Sequence, residues 1–165
     1  MGVQEHAAAE SERYGDGQGP LDSYAAFVGA YNATFAAALL CARIAGHTLP
    51  TPSLGDITLF GVATHKLSRL LAKDKVTAVL RAPFAEYKED GGPAEVEERP
   101  RGQGARRAVG ELVTCPYCLD QWVAGGFAVA AIFAPRATRL TAGVFATVAV
   151  ADFLQIAYKL GHRTL

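Results

Sequence analysis

Between Tyr24 and Gly46 the chain reads YAAFVGAYNATFAAALLCARIAG, a segment without a polar helical face, interrupted by Asn32, Thr34 and Arg43. A helix that is apolar all round must be surrounded by protein or by lipid. Roughly 20 apolar residues match the hydrocarbon core of a bilayer, and either Asp22 or Ser23 suits the N-cap of such a helix. Two later segments share this character. LDQWVAGGFAVAAIFAP reaches spanning length when counted from Pro116 to Pro135, and RLTAGVFATVAVADFLQIAYKL carries Asp152 within it. A further segment, ITLFGVATHKLSRLLAKDKV, starts apolar and then places His65, Lys66 and Arg69 on neighbouring helical positions. It either crosses with a protein-facing polar stripe or ends early and continues along the inner surface. A soluble four-helix bundle needs a polar outer face on every helix. The expected fold class is therefore all-α: a polytopic membrane protein with four transmembrane helices and a long cytosolic central loop.

Charge is segregated accordingly. Of the 16 basic and 16 acidic residues, eight of each lie between Ala72 and Glu111. Half of the residues are hydrophobic and 19% are charged, where a soluble domain carries about a quarter. The net charge of zero argues against a nucleic-acid partner held by a positive field. Residues 1–20, polar and glycine-rich, read as a flexible cytosolic tail without a secretory signal. Residues 21–165 read as one integral membrane domain, in which 72–111 forms an interfacial segment followed by a charged, mobile loop. Lys73, Lys75, Arg81, Arg106 and Arg107 flank or occupy that loop, and Lys159 and Arg163 follow the last apolar segment. Arg43, Arg136 and Arg139 fall on the other side, so the positive-inside bias puts both termini in the cytoplasm.

Candidate chemistry gathers at two places. Cys115 and Cys118 bracket Pro116-Tyr117 before the third apolar segment. At a helix start, free backbone N–H groups favour a thiolate, the basis of dithiol redox sites. The same spacing is half of a tetrahedral site for zinc or another thiolate-binding metal, with His65 as a third ligand. A structural reading stands beside both: Thr114 caps the helix, Pro116 opens its first turn, and the cysteines pack. The second place is a polar membrane layer of Asn32, Lys66, Arg69, Asp152 and Gln155, in which Arg69 pairs with Asp152, because an intramembrane charge is costly unless paired or wet. Lys73, Lys75 and Arg81 are candidates for lipid headgroup contact, and Trp122 for an interfacial anchor. Phosphate-loop, dinucleotide and HExxH patterns are absent.

ATHKLSRLLAKDKVTAVLRAPFAEY, from Ala63 to Tyr87, and the later TCPYCLDQW resemble a bacterial membrane-protein family of unknown function, DUF1360. The resemblance rests on Thr64, His65, Lys66, Ser68, Arg69, Lys73, Asp74, Val76, Thr77, Arg81, Pro83, Phe84, Cys115, Pro116, Tyr117, Cys118 and Trp122, and it covers about Thr58 to Tyr158. It implies a small multi-pass protein of the bacterial cell membrane, in which the His/Lys/Arg stretch and the CxxC stretch act as one unit. Some members of that family are linked to sporulation.

With few candidate reaction groups, the chain reads as a non-enzymatic membrane scaffold or assembly protein, in contact with lipids and forming a homo-oligomer or larger membrane complex. The alternatives are a redox or metal-binding protein using Cys115 and Cys118, and a small polar-solute or ion transporter.

Overall fold

The structure is a computed structural model that describes residues 21–163, so the expectation for residues 1–20 lies outside the described residues. The chain is mostly helical. In order it forms α1 (Leu21–Ile44), α2 (Leu54–Lys73), the single turn α3 (Ala78–Arg81), β1 (Ala85–Gly92), β2 (Glu95–Pro100), α4 (Gly104–Thr114), α5 (Pro116–Phe133) and α6 (Pro135–Arg163). Contacts divide it into two compact units. The first takes the described residues through Ala36 with Ala72–Cys115, and the second takes Ala37–Leu71 with the chain from Pro116 onward.

Helix boundaries follow from local chemistry. Gly46, at φ +78°, turns the chain out of α1, and His47 donates its N–H to the Ala42 carbonyl at 2.9 Å. Ser53 and Asp56 form a reciprocal capping box at the start of α2. Asp56 N–H donates to Ser53 Oγ, and Ser53 N–H to Asp56 Oδ2, each at 3.1 Å. Pro116 and Pro135 open α5 and α6, where the missing N–H removes no helical hydrogen bond.

Two helices, Leu21–Ile44 and Pro135–His162, are long and apolar enough to cross a membrane. Length and composition therefore support two of the four expected crossings. In α2 the second half carries His65, Lys66 and Arg69, and α5 spends its second turn on Asp120 and Gln121.

The all-α expectation needs a correction. The segment expected to be a charged loop contains an antiparallel two-stranded sheet and a helix. Charge density and the Gly91-Gly92-Pro93 run conceal the hairpin, because the chain pays for its exposed charges by pairing them across the strands. Glu86 faces Arg99 in the register, and the two form an ion pair. Helix α4 packs on β2. Its Gly110 permits the approach: a Cβ there would lie 2.5 Å from the Phe84 carbonyl oxygen and 2.9 Å from Pro100 Cβ.

The second unit has its own core, in which Ala63 of α2, Phe127 of α5 and Ala142 of α6 are buried together. Leu59, Phe60, Leu67, Val123 and Phe145 pack around them, and the Phe60 and Phe127 rings stack with centroids 5.7 Å apart. Ala63 and Ala142 thus meet the Phe127 ring at the centre of this core.

Candidate functional site

In the first unit the basic residues expected to reach lipid headgroups are engaged by acidic residues of the hairpin. Lys73 Nζ lies 2.7 Å from Glu97 Oε2, and Lys75 Nζ lies 2.8 Å from Asp90 Oδ1. Arg81 is 1% exposed. Its guanidinium donates from Nη1 to Thr77 Oγ1 at 2.7 Å and from Nη2 to the Asp74 carbonyl at 3.0 Å, while Nε engages Glu98. The planar fork of arginine lets one buried side chain satisfy three acceptors at once. Arg106 closes the same unit by donating twice to the Pro83 carbonyl, at 3.1 and 2.7 Å. Tyr24 of α1 donates to Glu111 of α4, whose other carboxylate oxygen lies 3.0 Å from Arg107 Nε.

Lys75 and Asp90 perturb one another. Their hydrogen bond, with their mutual attraction second, holds the Asp90 carboxyl below its usual value and raises the Lys75 ammonium above its own. The other partners, Glu97 and Glu98, were not identifiable from sequence. The available signal was the density of glutamates opposite a run of cations.

In the second unit the polar stripe of α2 meets α5 and α6. Lys66 Nζ lies 2.6 Å from Asp152 Oδ2, with side chains 19% and 45% exposed. Lys66 thus supplies a cation to the carboxylate toward which sequence reasoning aimed Arg69, three residues further along the helix. The His65 ring stacks on Phe153, with centroids 6.1 Å apart and planes 17° from parallel. Ser68, 1% exposed, donates its hydroxyl to Asp120 Oδ1 at 2.5 Å. Thr64, His65, Asp120 and Gln121, with Phe60 and Ile57, line a cavity of about 450 Å³. The stretches THKLS and LDQ therefore build one site. A second, mainly apolar cavity of about 360 Å³ lies between Leu39, Leu49, Phe60 and Ile132, with the Arg139–Asp56 ion pair in its lining.

The other expected site residues are more local. Asn32 donates to the Val28 carbonyl of its own helix at 2.8 Å and is exposed. Gln155 is also exposed, and Trp122 is half-buried on α5. Cys115 is half-buried in extended backbone between α4 and α5, with φ −109° and ψ 107°, and Cys118 is exposed in the first turn of α5. Thr114 does not act as the cap expected for α5: its hydroxyl donates back to the Gly110 carbonyl at 2.8 Å. Among the described residues, no three His, Cys, Asp or Glu side chains are grouped to hold a metal ion.

Residues 59–158 match a family described as a protein of unknown function, DUF1360. The Sporulation protein YjcA of Bacillus subtilis (strain 168) is 35% identical over 86 residues, which cover 50% of this chain and 73% of that protein. No solved structure matches.

Proposed function

The chain belongs to the DUF1360 family, and from that premise we propose that it is a membrane scaffold or assembly protein serving a sporulation-linked membrane complex. One observation carries the reading. The polar residues of the THKLS and KDKVTAVLRAPF stretches are largely committed to internal pairs: Lys66 to Asp152, Ser68 to Asp120, Lys73 to Glu97, Lys75 to Asp90 and Arg81 to Glu98. Such commitments rigidify a framework and leave it few groups with which to turn over a substrate. The sporulation link rests on the name of the Bacillus subtilis relative.

The scaffold crosses the membrane four times with both termini in the cytoplasm. Helices α2 and α5, of 20 and 18 residues, share a core with α6, which is itself long and apolar enough to cross. At 1.5 Å per residue they run roughly 27–30 Å, the thickness of a hydrocarbon core. The Lys66–Asp152 pair lowers the cost of carrying two charges into that layer. The hairpin unit, with its largely exposed β1 strand, docks a protein partner in the cytoplasm.

Crosslinking in native membranes followed by mass analysis tests the scaffold. A stoichiometric complex that is lost when residues 85–100 are replaced by a flexible linker is the expected result. A chain that stays monomeric in those membranes overturns it, as does purified protein turning over a defined substrate. Single-cysteine labelling from each side tests the topology, and labelling of the two ends of α2 from one side defeats the four-crossing arrangement.

A further inference from the structure

The α3 turn is fixed from its polar side. Thr77 Oγ1 donates to the Asp74 carbonyl at 3.0 Å and accepts from Arg81 Nη1 at 2.7 Å. Asp74 Oδ1 in turn accepts the Val76 N–H at 3.0 Å. Thr77 and Ala82, which flank the turn, keep helical angles. In a helical projection Asp74, Thr77 and Arg81 fall together, while Val76, Val79, Leu80 and Pro83 follow the spacing i, i+3, i+4, i+7 on the opposite side. Val76 is 78% exposed, Val79 74% and Leu80 63%, and Pro83 is exposed as well. Single exposed apolar residues are ordinary, but a rigidly held stripe of them marks a contact surface.

Charge beside the stripe indicates what it meets. Between Ala72 and Cys115, Arg106 is the one Lys or Arg without a carboxylate partner among the described residues. Its guanidinium is held instead by the neutral Pro83 carbonyl, at the end of the stripe. An apolar stripe ending in an uncompensated cation suits a bilayer surface, where carbon enters the acyl boundary and a guanidinium stays among the phosphates. Chain length adds a second reason. Lys73 ends α2, and Val76 follows three residues later, at most about 11 Å of extended chain. With α2 crossing the bilayer, that length keeps the stripe within reach of the interface, which amphipathic segments enter by about 5–10 Å.

We infer that the α3 face is a membrane-surface contact. Val76, Val79, Leu80 and Pro83 enter the leaflet at the C-terminal end of α2, and Arg106 meets lipid phosphate beside them. The contact is apolar insertion, in place of the headgroup binding expected of Lys73, Lys75 and Arg81. It rests on the proposed crossing of α2, holds the hairpin unit against the bilayer and leaves β1 to the protein partner.

The test uses the full-length protein in liposomes, with Cys41→Ser, Cys115→Ser and Cys118→Ser as background. Single spin labels are placed through Val76→Cys, Val79→Cys and Leu80→Cys, and collisions with oxygen, which concentrates in lipid, are compared with those of a water-soluble nickel chelate. Lys88→Cys, exposed on β1, gives the aqueous reference. Gly61→Cys, exposed in the middle of α2 with open space around its Cβ, reports the crossing separately. An oxygen-to-nickel ratio at 76, 79 and 80 about fivefold or more above that at 88 is expected for burial at the acyl boundary. A ratio equal to that at 88 overturns the contact. Protection from both probes also overturns it, because protein then covers the stripe. A lipid signal at 61 with water at 79 and 80 defeats this contact alone, whereas water at 61 defeats the crossing of α2. Should the cysteine-free background fail to fold, the native sequence is irradiated with phospholipid carrying a carbene precursor near the headgroup end of its acyl chain. Adducts within residues 76–83 support the contact, and their absence beside adducts elsewhere in the chain overturns it.

Discussion

Arg81 donates from Nε to Glu98 Oε2 at 2.5 Å, and the two side chains are 2% and 7% exposed. This buried pair joins the short α3 turn to β2 within the first unit. Removing one member of such a pair strands the other charge away from water. Glu98→Ala should cost about 3–5 kcal/mol, whereas an Arg81→Met, Glu98→Leu double variant should recover much of that loss. Thermal unfolding of the purified protein measures both, and a double variant no more stable than Glu98→Ala refutes the account.

Gly110 lets α4 approach the hairpin. The Phe84 carbonyl that a Cβ would strike already accepts the Arg101 N–H at 2.8 Å, so it has little freedom to move. Gly110→Ala should destabilise by about 1–3 kcal/mol through overpacking. Gly126→Ala, where a Cβ meets nothing within 4 Å, serves as the control and should be neutral or slightly stabilising. Hydrogen exchange of residues 85–114 localises the effect.

Ala94 follows Pro93 in the hairpin connection and holds φ at +65°, as the second central position of a type II turn requires. The left-handed region costs an L-residue about 1 kcal/mol, which glycine avoids. Ala94→Gly should therefore raise stability by up to about 1 kcal/mol, read as a higher unfolding midpoint. A lower midpoint counts against the turn geometry.

The Lys75–Asp90 pair defines a pH window. The lowered Asp90 carboxyl contributes stability above its ordinary value of 3.8, and that contribution is lost as pH falls through its lower folded value. The raised Lys75 ammonium contributes below 10.5, and that contribution is lost as pH rises through its higher folded value. The hairpin contact should thus be insensitive to pH across the neutral range. In a carboxylate NMR titration, Lys75→Met should move the Asp90 midpoint upward, and an unmoved midpoint excludes Lys75 as the cause.

Lys66 and Asp152 should show coupling in a double-mutant cycle. Lys66→Met and Asp152→Leu should each destabilise, and together they should cost less than the sum by about 0.5–3 kcal/mol. Strict additivity in a nanodisc preparation removes the pair from the energetics of the second unit.

The apolar character of α1 and α6 was legible in the sequence because hydropathy over 20 or more residues is a local property. The Ser53 capping box and the helix-opening prolines are equally local. The hairpin was not legible. Its strands lack clean alternation, and its stability comes from ion pairs between residues far apart in the chain, such as Lys73 with Glu97 and Arg81 with Glu98. Likewise, the sequence marked His65, Lys66 and Arg69 as a polar stripe and Asp152 as a costly charge, but the choice of Lys66 depends on how α2 and α6 pack.

By itself the sequence determined the helical character, the two strongest candidates for membrane crossing and the two motifs in which polar chemistry gathers. Tertiary structure decided that basic residues expected at a lipid surface bind the hairpin and that THKLS meets LDQ in one cavity. It also placed Ser68 against Asp120, a contact between α2 and α5. The physical reason is range: helix formation and hydropathy are settled within a few turns of chain, whereas the partner of a charge or a hydroxyl is settled by which distant backbone folds against it.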